Sequence, residues 1–268
     1  MHKMLLVSKY TAIKRLIHGY LVATLSIYTK DQNLSFSEIE EIPLYKTREN
    51  CKVLYISGVA LKLSKVFKCD ISIICSQIVS HFSVNYSENY QVGVVSPGWI
   101  HIRVSDAIAS TCLQSIIDTG SEQKNSIISI PNLSEKLFIA QYAHARCCSL
   151  LQLAVREGFK QPQQIPWLDD NRMCLTHPAC QNLIGELIQV VDQLVCCSNL
   201  DLRYYEKSCV ALSKAFDSFW SQCSIWGERQ QPKSAQLIQA KLGLVMATQL
   251  ILKYLLEEKL TIYAPQEL

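Results

Sequence analysis

Tyr142, Arg146 and Ser149 stand at i, i+4 and i+7 in the stretch "FIAQYAHARCCSLLQLA", residues 138–154, so on a helix they share one face. Ala140, Ala143, Cys147, Leu151 and Ala154 fall on the other, apolar side. A phenol ring, a guanidinium and a hydroxyl on one face suit a splayed single-stranded base. The ring stacks on the base, and the arginine stacks or pairs with a phosphate. The same spacing also describes a half-buried tyrosine beside a solvated arginine. A second group, "CLTHPAC", sets Cys174, His177 and Cys180 three residues apart. Thiol, imidazole and thiol suit zinc, but zinc takes four ligands, or three and a water, and no fourth stands nearby in the sequence. Pro178 instead fits the first position of a helix. No metal or other cofactor is expected, and no catalytic residue is assigned, because no cysteine has a histidine and an acid beside it in a recognised pattern.

The elements that must position these residues are bounded by composition. The chain has 268 residues, 49% hydrophobic and 18% charged, enough for one or two domains with their own cores. Residues 1–120 carry 12 Lys+Arg against 9 Asp+Glu, and residues 121–268 carry 14 against 14. Any RNA binding therefore rests on local patches, since no broad basic field exists. The opening "MHKMLLVSKYTAIKRLIHGY" is not a signal peptide, because Lys9, Lys14 and Arg15 interrupt the apolar run. No stretch reads as a membrane span. A cytoplasmic location is expected, and there the twelve cysteines act first as small apolar side chains.

Apolar spacing predicts a helix over residues 3–27, then strands in "IEEIPLYK" and "CKVLYIS". Helices follow in "GVALKLSKVF" and "DISIICSQIVSHF", the second capped by Asp70. "YQVGVV" and "WIHIRVS" read as a strand pair turning at Ser96-Pro97-Gly98. Ser105 or Asp106 then caps a helix to about Ile117. Residues 1–117 thus read as a small α+β domain, 118–131 as a polar linker, and 132–268 as an all-α bundle of five or six helices. Breaks are expected at "EGFKQPQQIPWLDDN", "CSNLD" and "GERQQPKS".

The segment "QYAHARCCSLLQLA" resembles the "YAHAR…S" opening of the DALR anticodon-binding domain of arginyl-tRNA synthetases. "LTHPACQNLIGELIQVVDQLV" resembles that domain's second helical stretch, and there His-Pro marks a helix start. "LSKAFDSFWSQCSIWGER" is similar to the family's "LAKAFNSFYNECPILGAE". "KLGLVMATQLILKYLLEEKLTIYAPQEL" is similar to its closing helix and "APERM" end. Upstream, "VSPGWIHIRVS" resembles the "GPGFINF" strand of the family's additional N-terminal domain, and "LYISGVALKLSKVF" the helix before it. The family carries a class I catalytic domain between these two ends, and here a short linker stands in its place.

The resemblance implies a non-catalytic tRNA-binding protein that holds the anticodon stem-loop of a tRNA, arginine tRNA by analogy. Tyr142 and Arg146 occupy the family's anticodon-facing positions. Trp220 replaces the aromatic of "SFY", and Leu268 replaces a final methionine. On the side that meets the tRNA elbow, Trp99, His101 and Arg103 are the weaker candidates, with His101 in place of the family's asparagine. "KLSK" (62–65) and "IHGY" (17–20) echo the KMSK and HIGH signatures. Fewer than fifty residues separate them, too few for the Rossmann units that bring such signatures together, so aminoacylation is not expected. A tRNA-modifying enzyme or another protein is an implied partner, and a membrane is not. The competing reading is a scaffold or regulatory module whose old RNA surface now binds protein.

Overall fold

A computed structural model describes residues 11–31, 42–49, 52–121, 135, 137–159, 164–197, 200–226 and 234–267. The described residues form two compact units, Ala12–Ile108 and Ala109–Leu268, the latter joined by Thr11. They are an α/β unit with a small antiparallel sheet, followed by a helical one.

In the first unit, α1 (Ile13–Asp31) buries Ile13, Ile17, Leu21 and Leu25 completely, a stripe at every fourth residue. The part of the expected first helix before residue 11 lies outside the described residues. Strands β1 (Leu44–Glu49) and β2 (Lys52–Ser57) pair antiparallel. β1 begins after Pro43, later than expected, since proline has no N–H to give a ladder; its carbonyl accepts from Ser57 Oγ at 2.7 Å. Helix α2 (Val59–Phe67) ends on Lys68 at φ 52°. Helix α3 (Ile71–Tyr86) starts at Asp70, whose carboxylate accepts from the Ser72 N–H at 2.7 Å. Strands β3 (Tyr90–Val95) and β4 (Trp99–Val104) form the expected hairpin, and the sheet order is β1-β2-β4-β3. The turn needs glycine: Gly98 sits at φ 149°, and a Cβ there would lie 2.3 Å from Ile71 Cδ1. Alternation along β4 turns Ile100, Ile102 and Val104 into the core and leaves Trp99, His101 and Arg103 on the other face.

Helix α4 (Asp106–Ser121) opens with Ser105 Oγ accepting from the Ile108 N–H at 3.3 Å. The division between units falls in its first turn, so most of α4 counts with the helical unit. There α5 (Phe138–Arg156) lies against α7 (Leu202–Gln222) and α8 (Ser234–Lys253), and α6 (Pro178–Cys196) touches the same two helices. A π-helical turn, Tyr254–Lys259, continues α8. The break expected at 157–171 contains an unexpected hairpin, β5 (Leu168–Asp169) with β6 (Arg172–Met173). Asp170 and Asn171 make its turn at φ 47° and 61°, as a tight hairpin of this hand requires. Gln114 of α4 holds the segment before it, accepting at Oε1 from Ile165 N–H at 3.1 Å and Trp167 Nε1–H at 3.2 Å.

Ala235–Lys259 is long and apolar enough to cross a bilayer by length and composition, with hydropathy 1.3 over its best window. Its apolarity serves the bundle core: Ala240, Leu244, Val245, Ala247, Ile251 and Leu252 are fully buried.

Gly243 is the close-approach point of α8, because a Cβ there would stand 2.7 Å from both Ile165 Cγ2 and Trp167 Cη2. Gly19 in α1 has nothing within 4 Å of the same position. Gly243→Ala is expected to destabilise by about 1–3 kcal/mol through overpacking. Gly19→Ala is expected to stabilise by roughly 0.5–1 kcal/mol through helix propensity. Chemical denaturation of the two variants beside the parent chain checks both signs.

Candidate nucleic-acid interface

Helix α5 is buried along one side. Ala140, Gln141, Ala143, His144, Ala145, Cys147, Leu150 and Ala154 face the core. Among the exposed side chains, which also include Ile139, Leu153 and Val155, runs a short ladder at four-residue spacing: Phe138, 48% exposed, Tyr142, 43% exposed, and the half-buried Arg146. The rings of Phe138 and Tyr142 lie 26° from parallel, with centroids 6.3 Å apart. Arg146 donates from Nη1 to the Tyr142 hydroxyl at 2.8 Å. Its guanidinium carbon also sits 4.5 Å from the ring centroid of Trp220, which comes from α7. Tyr142 and Arg146 therefore meet Trp220, distant from them in sequence, in one cluster.

Arg146 is held by a hydroxyl and a π face, with no carboxylate in either contact. Its buried Nε has no hydrogen-bond partner among the described residues. A guanidinium held this way keeps its positive charge unneutralised by these neighbours and available to an anion. Ser149, assigned to the same face from spacing, is exposed and donates back to the Ala145 carbonyl at 3.0 Å. Phe138 was missed by the sequence reading. Its signal was present, since it precedes Tyr142 by the same four residues that separate Tyr142 from Arg146. Leu268 lies outside the described residues.

Two buried polar side chains fix the rotation of α5. Gln141 donates from Nε2 to the Tyr263 carbonyl at 2.8 Å. His144 has Nδ1 2.7 Å from the Pro265 carbonyl and Nε2 2.9 Å from Gln249 Nε2. A carbonyl only accepts, so Nδ1 carries the proton and Nε2 accepts from the Gln249 amide. Burial, with a smaller push from Lys253, lowers the His144 pKa to about 4.

On the sheet of the first unit, Trp99, His101 and Arg103 form one row. Arg103 donates from Nη1 to Gln91 Oε1 at 3.1 Å, and the Trp99 ring crosses Gly58 at 3.0 Å from where a Cβ would stand. The second group quoted from the sequence lines one cavity, but each member has a different hydrogen-bond partner. Cys174 lies before α6 with Sγ 3.5 Å from the Pro166 carbonyl, and His177 caps α6 through Nδ1. Cys180 meets Cys223, which sequence spacing did not bring into view. No cluster of three or more His, Cys, Asp or Glu side chains is placed to hold a metal among the described residues.

The fold and this cluster define a class, a helical bundle with an aromatic and cationic face. Residues 140–268 match the family model of the DALR anticodon binding domain. The chain is similar to the arginine–tRNA ligase of Ruminiclostridium cellulolyticum, 30% identical over 133 residues, 49% of this chain and 22% of that protein. It is also similar to the arginine–tRNA ligase of Salinibacter ruber, 32% identical over 123 residues, 45% of this chain and 20% of the relative. The chain thus spans about a fifth of the length of these curated relatives.

The low pKa of His144 has a sign for stability. The unfolded imidazole binds its proton near 6.5 and the folded one near 4, so the unfolded state gains protons first as pH falls. The His144 contribution is complete above pH 6.5 and drains away as pH falls towards 4, a loss of roughly 3 kcal/mol. Glu257, raised by burial, works in the opposite direction. Denaturation midpoints between pH 7 and 4 should fall more steeply for the parent chain than for His144→Gln.

Proposed function

We propose that this chain is a non-catalytic tRNA-binding protein that grips an anticodon stem-loop with Phe138, Tyr142, Arg146 and Trp220. The observation that carries this reading is the cluster itself, within a chain segment that matches an anticodon-binding domain. Phe138 and Tyr142 offer ring faces on which unstacked bases lie, worth roughly 1–3 kcal/mol per base. Arg146 reaches a phosphate or a base edge from between its two aromatic neighbours. The names of the relatives favour arginine tRNA as the ligand, and Leu268 is the fourth anticodon-side residue of the resemblance. Trp99, His101 and Arg103 offer a second, weaker surface on the sheet, suited to the tRNA elbow. A cytoplasmic adapter that presents tRNA to a modifying enzyme fits these parts.

A second reading draws on charge. Residues 121–268 carry as many acidic as basic side chains, and an exposed aromatic ladder also suits a protein partner. Salt separates the two, because phosphate contacts release counterions and apolar contacts do not.

Purified chain incubated with total cellular tRNA at two salt concentrations, followed by sequencing of the retained RNA, tests the proposal. One tRNA family should be enriched, with affinity falling as salt rises. Tyr142→Ala/Arg146→Ala should weaken binding by about ten-fold to a hundred-fold. Absence of retention at the lower salt would sink the RNA reading and leave the protein-interaction one.

A further inference from the structure

Eleven of the twelve cysteines lie among the described residues, all as thiols, and six of them are buried. Cys180 and Cys223 differ. Their sulfurs stand 3.5 Å apart across 43 residues of sequence, joining the first turn of α6 to the C-cap of α7. Both line the wall of a cavity of about 900 Å³ that is also lined by Cys174, His177 and Lys241. Cys180 is 1% and Cys223 5% exposed, so only a small molecule that enters this cavity meets them.

A third group completes the arrangement. His177 Nδ1 accepts the Ala179 N–H at 3.2 Å, so the proton of the neutral ring resides on Nε2. The same Nδ1 is 3.2 Å from Cys223 Sγ and in position to accept its thiol proton. Burial, with Cys223 close by, raises the Cys180 pKa and keeps that sulfur protonated. The two cysteines are thereby unequal: Cys223 has a base beside it, and Cys180 does not.

We propose that Cys180 and Cys223 are a reversible oxidation site for a small hydroperoxide, with Cys223 attacking and Cys180 resolving. Cys223 passes its proton to His177 Nδ1 and its sulfur attacks one peroxide oxygen. The O–O bond breaks, Cys223 becomes a sulfenic acid, and the departing oxygen takes the proton and leaves as an alcohol, or as water from hydrogen peroxide. The Cys180 thiol then displaces the sulfenic hydroxyl, forming the S–S bond and releasing water. Two thiols and one hydroperoxide thus give one disulfide, one alcohol and one water, and an external dithiol reverses the change. The sulfurs need approach by only about 1.5 Å to reach bonding distance. His177 acts as the base, and while Nδ1 holds the proton it releases the Ala179 N–H that it otherwise accepts as the helix cap.

The test is hydrogen peroxide titration of the native chain, followed by alkylation and a non-reducing peptide map. A linked Cys180–Cys223 peptide should appear before the exposed Cys196 is consumed, and a dithiol reductant should remove it. Cys180→Ala should leave a sulfenic acid on Cys223 that a 1,3-diketone traps. His177→Asn, which retains a capping side chain, should slow linkage several-fold without changing the pairing. Should Cys180→Ala fail to fold, the map of the parent chain decides alone. The proposal is overturned if Cys180 and Cys223 stay alkylatable while Cys196 reacts, or if other pairings dominate the map.

Discussion

The rotation of α5 about its own axis is the constraint on which the candidate interface depends. An amphipathic helix with mostly alanine on its inner face could turn through several degrees at little cost, because small side chains interlock weakly. Gln141 and His144 remove that freedom. Each is buried and each is committed to a backbone carbonyl of the segment that follows α8. Misrotation would leave two buried polar groups and two carbonyls unpaired, and each such loss costs about 1–3 kcal/mol. Tyr142, one residue beyond Gln141, and Arg146, two beyond His144, are therefore aimed outward by groups that never reach the surface. The terminal segment becomes part of the positioning apparatus for a face it does not form.

The electrostatics of the face follow the same logic of local arrangement. The helical half of the chain has no excess of positive charge, so long-range attraction of a polyanion is weak. What it offers is one guanidinium whose orientation is settled before any ligand arrives. The Trp220 ring and the Tyr142 hydroxyl hold Arg146 without a carboxylate that an anion must displace. Fixing a long side chain in advance saves about 0.5–1.5 kcal/mol of ordering on association. Such a surface favours recognition of shape and stacking over steering by charge.

Much of this was legible in the sequence, and the reasons differ by element. Asp70 before α3, Ser105 before α4 and Pro178 at the start of α6 announce helix starts through local hydrogen bonding, which needs no knowledge of the fold. The face of α5 was legible from period alone, and Trp220 came within reach only by resemblance. The β5–β6 hairpin escaped because its strands are two residues long, too short for alternation, although Asp170-Asn171 carried the turn chemistry. Cys174, His177 and Cys180 look like one group in sequence, yet the chain turn before α6 sends Cys174 towards Pro166. Cys223 comes to Cys180 only because α6 and α7 lie side by side, a tertiary fact that no spacing encodes.

The C-terminal turn of α7 joins the two places where this bundle gathers reactive or recognition groups. Trp220 and Cys223 are three residues apart, about 60° around a helix, so they leave the same side of that turn. One meets Arg146 and the other meets Cys180 and the cap of α6. The Cys223 N–H bonds to the Phe219 carbonyl, and Phe219 is wholly buried, so this turn is anchored and its displacements are shared. A cation–π contact depends steeply on where the ring sits beneath the charge, and a shift of an ångström at Trp220 changes what Arg146 rests on. The aromatic face and the thiol pair are therefore both built on the end of α7.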